Sequence, residues 1–250
     1  MDIVYIFNGW KTGEEMRYSM RSIAKYGRNV GQVYVLGHRP QWCNPATVRE
    51  IVYNSDSKLY KENDITAAIM KAAEVPELST RFLICADDYF YIRETDFDNY
   101  PIYLKNPKLP HSFEAGGNNP RKGGINYRRS AVNTRALLTA AGLPIGNYSQ
   151  HACFPADKKL MAEFAHLFRA ALLLEYGALF DSLMANIIID KTDAVVVPRK
   201  DNKIRTARDR AELLQLIGDT EVWSSSERHL DYGLLRILQT DLPEKCKYEL

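Results

Sequence analysis

Short apolar runs and amphipathic stretches alternate along the first hundred residues. Residues 3–7 read as a buried strand that ends in the polar turn Asn8-Gly9-Trp10. Residues 14–26 follow with Met16, Met20 and Ile23 on one helical face and Arg17 and Arg21 on another. Residues 32–36 form a second strand, stopped by Gly37-His38-Arg39-Pro40, and residues 50–53 a third, ending in Asn54-Ser55-Asp56. Asn63-Asp64 can cap a helix over residues 65–73. The apolar run 82–86 is the next strand, and it stops abruptly at Asp87-Asp88 before the aromatic run 89–91. This rhythm predicts an α/β fold with a mostly parallel, Rossmann-like sheet and right-handed crossovers.

In such a sheet every strand end carries a polar group, so Asn8, His38, Asp56 and the Asp87-Asp88 pair are expected along one edge. Ligands bind at that edge in open α/β sheets. No GxGxxG or GxxxxGK[ST] pattern accompanies these turns, which argues against dinucleotide oxidoreductases and P-loop phosphotransferases. Phosphate would then be held by metal and by basic side chains.

Residues 101–129 are rich in Gly, Pro, Asn and basic residues and read as a flexible basic loop, in which Arg121, Lys122, Arg128 and Arg129 supply a positive field. A more helical half follows over 130–250. Helices are expected at 130–141, 157–168, within 172–189, at 209–217 and at 230–240. Added strands are expected near 195–197 and 221–224. The chain reads as one domain, with an α/β half at 1–100 that carries the ligand-binding edge and a mainly helical half at 130–250.

Apolar residues make up 46% and charged residues 26% of the 250, a globular composition, and a net charge of +2 is too weak to argue for nucleic acid. The four cysteines form no CxxC pair, which disfavours both a zinc site and a disulfide framework and suits a reducing compartment. The start lacks a signal-peptide pattern, and no apolar run approaches the roughly 20 residues that span a bilayer. The chain therefore reads as cytoplasmic and complete, with no transmembrane segment.

Several blocks carry a family resemblance. Residues 15–23 (EMRYSMRSI), 33–36, Pro40-Gln41-Trp42, Tyr53-Asn54-Ser55-Asp56 and 82–90 with Asp87-Asp88 resemble, in order, the amino-terminal blocks of the Stealth family. Residues 151–158 (HACFPADK) with Phe168-Arg169 resemble its third block, and 242–249 (LPEKCKYE) its closing FPxKSxFE-type end. Those proteins are sugar-phosphate transferases, and the resemblance implies the A-type nucleotide-sugar glycosyltransferase fold. One departure matters: the acid of the family's VDG is Asn8 here, which can hydrogen-bond a ligand but cannot act as a carboxylate base.

The resemblance implies a metal-dependent glycosyltransferase that moves a sugar from a nucleotide-sugar donor to a hydroxyl acceptor. Asp87 would face the ribose or donor sugar, and Asp88 would ligate Mn2+ or Mg2+ on the diphosphate. His151 stands where this fold returns a side chain to the metal or leaving phosphate. Arg17 and Arg169 would pair with phosphates, Asn8-Gly9 would meet the donor, and Lys61, Asn63 and Asp64 would touch donor or acceptor. A saccharide is the default acceptor, and a hydroxylated base in DNA is the alternative. Two further readings are Stealth-like transfer of sugar 1-phosphate and a non-catalytic sugar-nucleotide-binding protein.

Overall fold

A computed structural model describes residues 1–7, 13–56, 58–112, 122–199, 202–225 and 232–250. In chain order the first elements are β1 (Asp2–Phe7), α1 (Glu14–Tyr26), β2 (Gly27–Arg28), β3 (Val33–Gly37), β4 (Val48–Val52), α2 (Lys61–Ala73), β5 (Arg81–Ala86), β6 (Tyr89–Tyr91), β7 (Thr95–Asp96) and β8 (Ile102–Leu104). Then come α3 (Lys122–Ala140), β9 (Phe154–Asp157), α4 (Lys158–Glu163), α5 (Ala165–Leu173), α6 (Phe180–Lys191), β10 (Val196–Pro198), α7 (Arg210–Ile217), β11 (Val222–Ser224) and α8 (Tyr232–Asp241).

The central sheet has the order β4-β3-β1-β5-β9, with the first four strands parallel and β9 antiparallel to β5. The α/β class and the mostly parallel sheet are those the alternating pattern predicts. From β1 the chain builds outward through β3 and β4, then returns to the other side of β1 for β5. The carboxyl ends of β1 and β5 therefore flank the point where strand order reverses, the usual ligand crevice of such sheets.

Both faces of the sheet are covered. Val4, Tyr34, Leu36, Phe82 and Ile84 pack on one side against α2, α3, α5 and α6. Ile3, Tyr5, Val33, Val35 and Leu83 pack on the other against Met16, Met20 and Ile23 of α1 and an aromatic group that includes Tyr91, Phe97 and Tyr100. A smaller core joins Phe90 and Trp223, paired in the antiparallel β6–β11 ribbon, to Leu213 and Ile217 of α7 and Leu234 and Ile237 of α8.

Three local expectations are revised. Helix α2 begins at Lys61 after Tyr60, with no side-chain cap, so Asn63 and Asp64 lie inside its first turn. Asn63 is buried, and its amide donates to the carbonyls of Ala171, Leu172 and Leu174 at 3.0–3.2 Å, so a tertiary partner outcompetes local capping. The segment 101–129 is only partly loop: it contains β8, which pairs with the distant β10, and α3 already begins at Lys122, so Arg128 and Arg129 are helical. The centre of that segment, 113–121, lies outside the described residues. Asp157 does cap a helix, accepting from the amides of Lys159 and Leu160, but the expected single helix is broken at Phe164 into α4 and α5.

The expectation of a chain without disulfides is also corrected. Cys85 and Cys153 are joined, with Cα atoms 4.5 Å apart. They extend the β5–β9 ladder one pair beyond Ile84 and Phe154, so residues 68 apart in sequence become directly opposed across two strands. Linear spacing contains no trace of that pairing. Cys43 and Cys246 are free. Alkylation of the denatured, unreduced protein should modify two cysteines and alkylation after reduction all four, as read by intact mass. Four modified cysteines without reductant would rule the bridge out.

The basic face of α1 is used for closure of the fold. The Arg21 guanidinium donates from Nε and a terminal nitrogen to both carboxylate oxygens of Glu249, at 2.7 and 2.9 Å, and to the Leu242 carbonyl at 3.0 Å. Arg17 lies 3.6 Å from the same carboxylate, pairs with Glu14 at 2.8 Å and sits 4.9 Å over the Trp42 ring. Burial works to raise Glu249, but the Arg21 bonds and the Cys246 amide hold it below the usual carboxylate range. Replacing Glu249 by Gln should lower unfolding free energy by about 3 kcal/mol in urea titrations, because it leaves two guanidinium groups short of their counter-charge. A loss under about 0.5 kcal/mol would make the pair incidental.

Candidate active site

A cavity of about 530 Å3 opens where the carboxyl ends of β1 and β5 meet. Ile6 and Phe7 from β1 and Ala86, Asp87 and Asp88 from the end of β5 form its floor. Lys61, Glu62 and Asp64 of α2 form one wall, and Ser149, Gln150 and His151, which precede β9, contribute to another. Asp181, at the start of α6, closes the site, and Lys105 and Lys203 add positive charge.

Asp87 and Asp88 are the turn between β5 and β6. Three serines hold this turn and the strand after it. Ser19 of α1 donates to the Tyr89 carbonyl, and Ser22 accepts from the Tyr91 amide at 2.9 Å, which pins β6 to α1. Ser224, opposite Tyr89 in the β6–β11 pair, donates to Asp88 Oδ2 at 3.0 Å. The local sequence explains the change of direction: an apolar strand cannot continue through two carboxylates without burying charge, so it turns where they can face the cavity.

On the facing side, Asp64 accepts from Tyr53 Oη at 2.7 Å, from Ser55 Oγ and from the Asp56 amide at 3.1 Å. Asp56, expected at the site, thus supports it at one remove. His38 bonds Asn54 at 3.0 Å instead and does not line the cavity. Burial pushes the Glu62 carboxyl up to about 7; Lys61 opposes the shift and the charge of Asp181 adds to it. Asp181 is itself raised by burial, against hydrogen bonds from Ser149 and from the Ser182 amide at 2.6 Å.

Five of the residues singled out in the sequence therefore share this cavity: Lys61, Asp64, Asp87, Asp88 and His151. Three stand elsewhere. Arg17 belongs to the Glu249 closure, Asn63 ties α2 to the end of α5, and Arg169 is exposed on α5. Asn8 and Gly9 lie outside the described residues. Glu62, Asp181 and Ser224 also belong to the site, and no motif in the sequence marks them. An acid interrupting the apolar run 178–189 is the signal for Asp181; Ser224 has none.

No protein-family model and no curated protein matches the sequence. The chain does resemble solved structures of LgtC. One is an active-site mutant of LgtC, with 13% identity over 99% of this chain and 98% of that one and a TM-score of 0.47. Another is the galactosyltransferase LgtC in complex with donor and acceptor sugar analogs, at 11% identity, the same coverage and a TM-score of 0.47.

Among the described residues no three His, Cys, Asp or Glu side chains come close enough to enclose a metal ion by themselves. Carboxylate oxygens and an imidazole in one cavity fit a divalent cation bound the way Mg2+ usually is, through one or two protein ligands with substrate phosphates supplying the rest.

The raised Glu62 carboxyl has a consequence for stability. Its folded value, near 7, exceeds an unfolded value of about 4.3, so the stability it contributes is full below the unfolded value and is lost as pH rises through the folded one. Glu62→Gln cannot ionise. Relative to wild type it should gain about 3 kcal/mol between pH 4 and pH 8, measured by calorimetric unfolding at the two pH values. A difference that does not change with pH would refute the assignment.

Proposed function

We propose that this protein is a nucleotide-sugar-dependent glycosyltransferase of the A-type fold, transferring a sugar to a hydroxyl acceptor. The observation that carries the reading is the Asp87-Asp88 pair at the carboxyl end of β5, beside the end of β1, in a cavity sized for a small-molecule ligand and shared with His151. The sequence blocks that resemble the Stealth family include this same Asp87-Asp88 pair, in agreement with a donor site there.

In this reading Asp87 accepts hydrogen bonds from the ribose or donor sugar, and Asp88, oriented by Ser224, would hold a divalent cation together with His151. Bound there, the cation offsets charge on the departing nucleoside diphosphate. Lys61, Lys105 and Lys203 line the cavity and give the diphosphate a positive surround without a glycine-rich phosphate loop. Lys61 and Asp64 orient the sugar from α2. A saccharide is the acceptor we favour, and a hydroxylated base in DNA is the alternative.

A thermal-shift screen of nucleoside diphosphates and nucleotide sugars, with and without Mn2+, tests the donor site. At ligand near 100 times its Kd the stabilisation is about 2.7 kcal/mol, a shift of about 5–10 °C for a chain of this size. Asp88→Ala should abolish the Mn2+-dependent part. Products are then identified by anion-exchange chromatography. A nucleoside diphosphate supports glycosyl transfer, whereas a monophosphate would replace it with sugar-phosphate transfer. Absence of any nucleotide shift in the wild type would overturn the reading.

A further inference from the structure

Of the acids on the cavity wall, Glu62 stands apart. Asp64 is taken up by three donors, Asp88 by Ser224, and Asp181 by Ser149 and Ser182. Glu15, in the first turn of α1, is only 5% exposed, and Asp87 makes contacts of its own. The Glu62 carboxyl accepts no hydrogen bond from any described residue, although it lines the cavity from the first turn of α2. A carboxyl group turned into a cavity without a protein partner keeps its lone pairs for a ligand.

Resting on the glycosyltransferase reading, we propose that Glu62 is the catalytic residue that takes the proton from the acceptor hydroxyl, with Asp181 of α6 as its positioning residue. The acceptor O–H bond breaks and its proton passes to the Glu62 carboxylate. The acceptor oxygen forms a bond to the anomeric carbon of the sugar. The bond from that carbon to the phosphate oxygen breaks, and its electron pair leaves with the nucleoside diphosphate. The proton returns to solvent once the product departs.

The surroundings suit this task. Lys61, on the same helix, favours the charged form, and Asp181 opposes it. Lys105 faces Asp181, while Asp87, Asp88 and His151 lie around the shared cavity with Lys203. A base works best when it is nearly half protonated at the working pH, because it then combines availability with proton affinity. Burial between one cation and one anion brings Glu62 to that balance.

The test measures nucleoside diphosphate release by the full chain between pH 5.5 and 9, with water or a simple saccharide as acceptor and the donor that gives the largest thermal shift. Wild-type kcat should fall on the acid side with a midpoint near 7. Glu62→Gln should lower kcat about 100-fold or more and lose that limb, with the donor-induced thermal shift unchanged. Glu62→Asp should restore the limb at a reduced rate, and Asp181→Asn should move the limb to lower pH. Wild-type kcat and an intact acid limb in Glu62→Gln would overturn the proposal while leaving the glycosyltransferase reading in place. Loss of the donor shift in Glu62→Gln would overturn it differently, by making Glu62 a donor-holding group. A wild type that binds no nucleotide would end both readings together.

Discussion

Burial of β1 and β5 on both faces confines their polar groups to the strand ends. At the start of β1, Asp2 accepts from the Gln32 amide and from Ser79, which locks the edge away from the cavity. At the other end β5 releases Asp87 and Asp88 as soon as the apolar run stops. The site's position follows from this constraint: the parallel strands carry their chemistry where they emerge, and the reversal of strand order between β1 and β5 opens the space for it. The serines of α1 and β11 then hold the emerging turn, so a two-residue feature inherits the rigidity of three elements.

The elements that sequence makes legible are those specified by local pattern. The four parallel strands and α1 follow from apolar periodicity, and the Asp87-Asp88 turn is visible because two charges interrupt a buried run. Residues whose role depends on a distant partner are not visible in that way. Asn63 looks like a cap until the end of α5 is placed beside it, and Arg17 and Arg21 look like surface or phosphate-binding groups until Glu249 arrives. Glu62 was hidden among the polar residues 61–64, where neighbouring positions offered simpler capping or charge arguments. Its environment is defined by Asp181, which belongs to α6 and comes near only through packing of α6 against α2 and β9. Cys85 and Cys153 belong to the same class, since opposition across antiparallel strands leaves no mark in linear spacing.

The cavity holds charges of both signs in close quarters. Its acids are separated by environment: Asp64 and Asp88 are held by hydrogen-bond donors, whereas Glu62 and Asp181 are raised by burial. Carboxyl groups in such different surroundings can take different roles in one reaction. The lysines keep the whole from becoming an uncompensated acidic pocket and set the sign of the groups it can admit.

The clasp between α1 and Glu249 also bears on how the chain reaches this state. Arg21 and Glu249 are 228 positions apart, so the loop they close carries a large entropic cost that is recovered only after the intervening sheet has formed. During synthesis α1 can dock on the sheet through Met16, Met20 and Ile23 while its guanidinium groups still face water. The same helix pins β6 through Ser19 and Ser22, so residues made long after the Asp87-Asp88 turn complete the anchoring of the helix that holds it. The turn belongs to the first hundred residues, yet the helix that holds it gains its Glu249 anchor only after more than 150 further residues have been made.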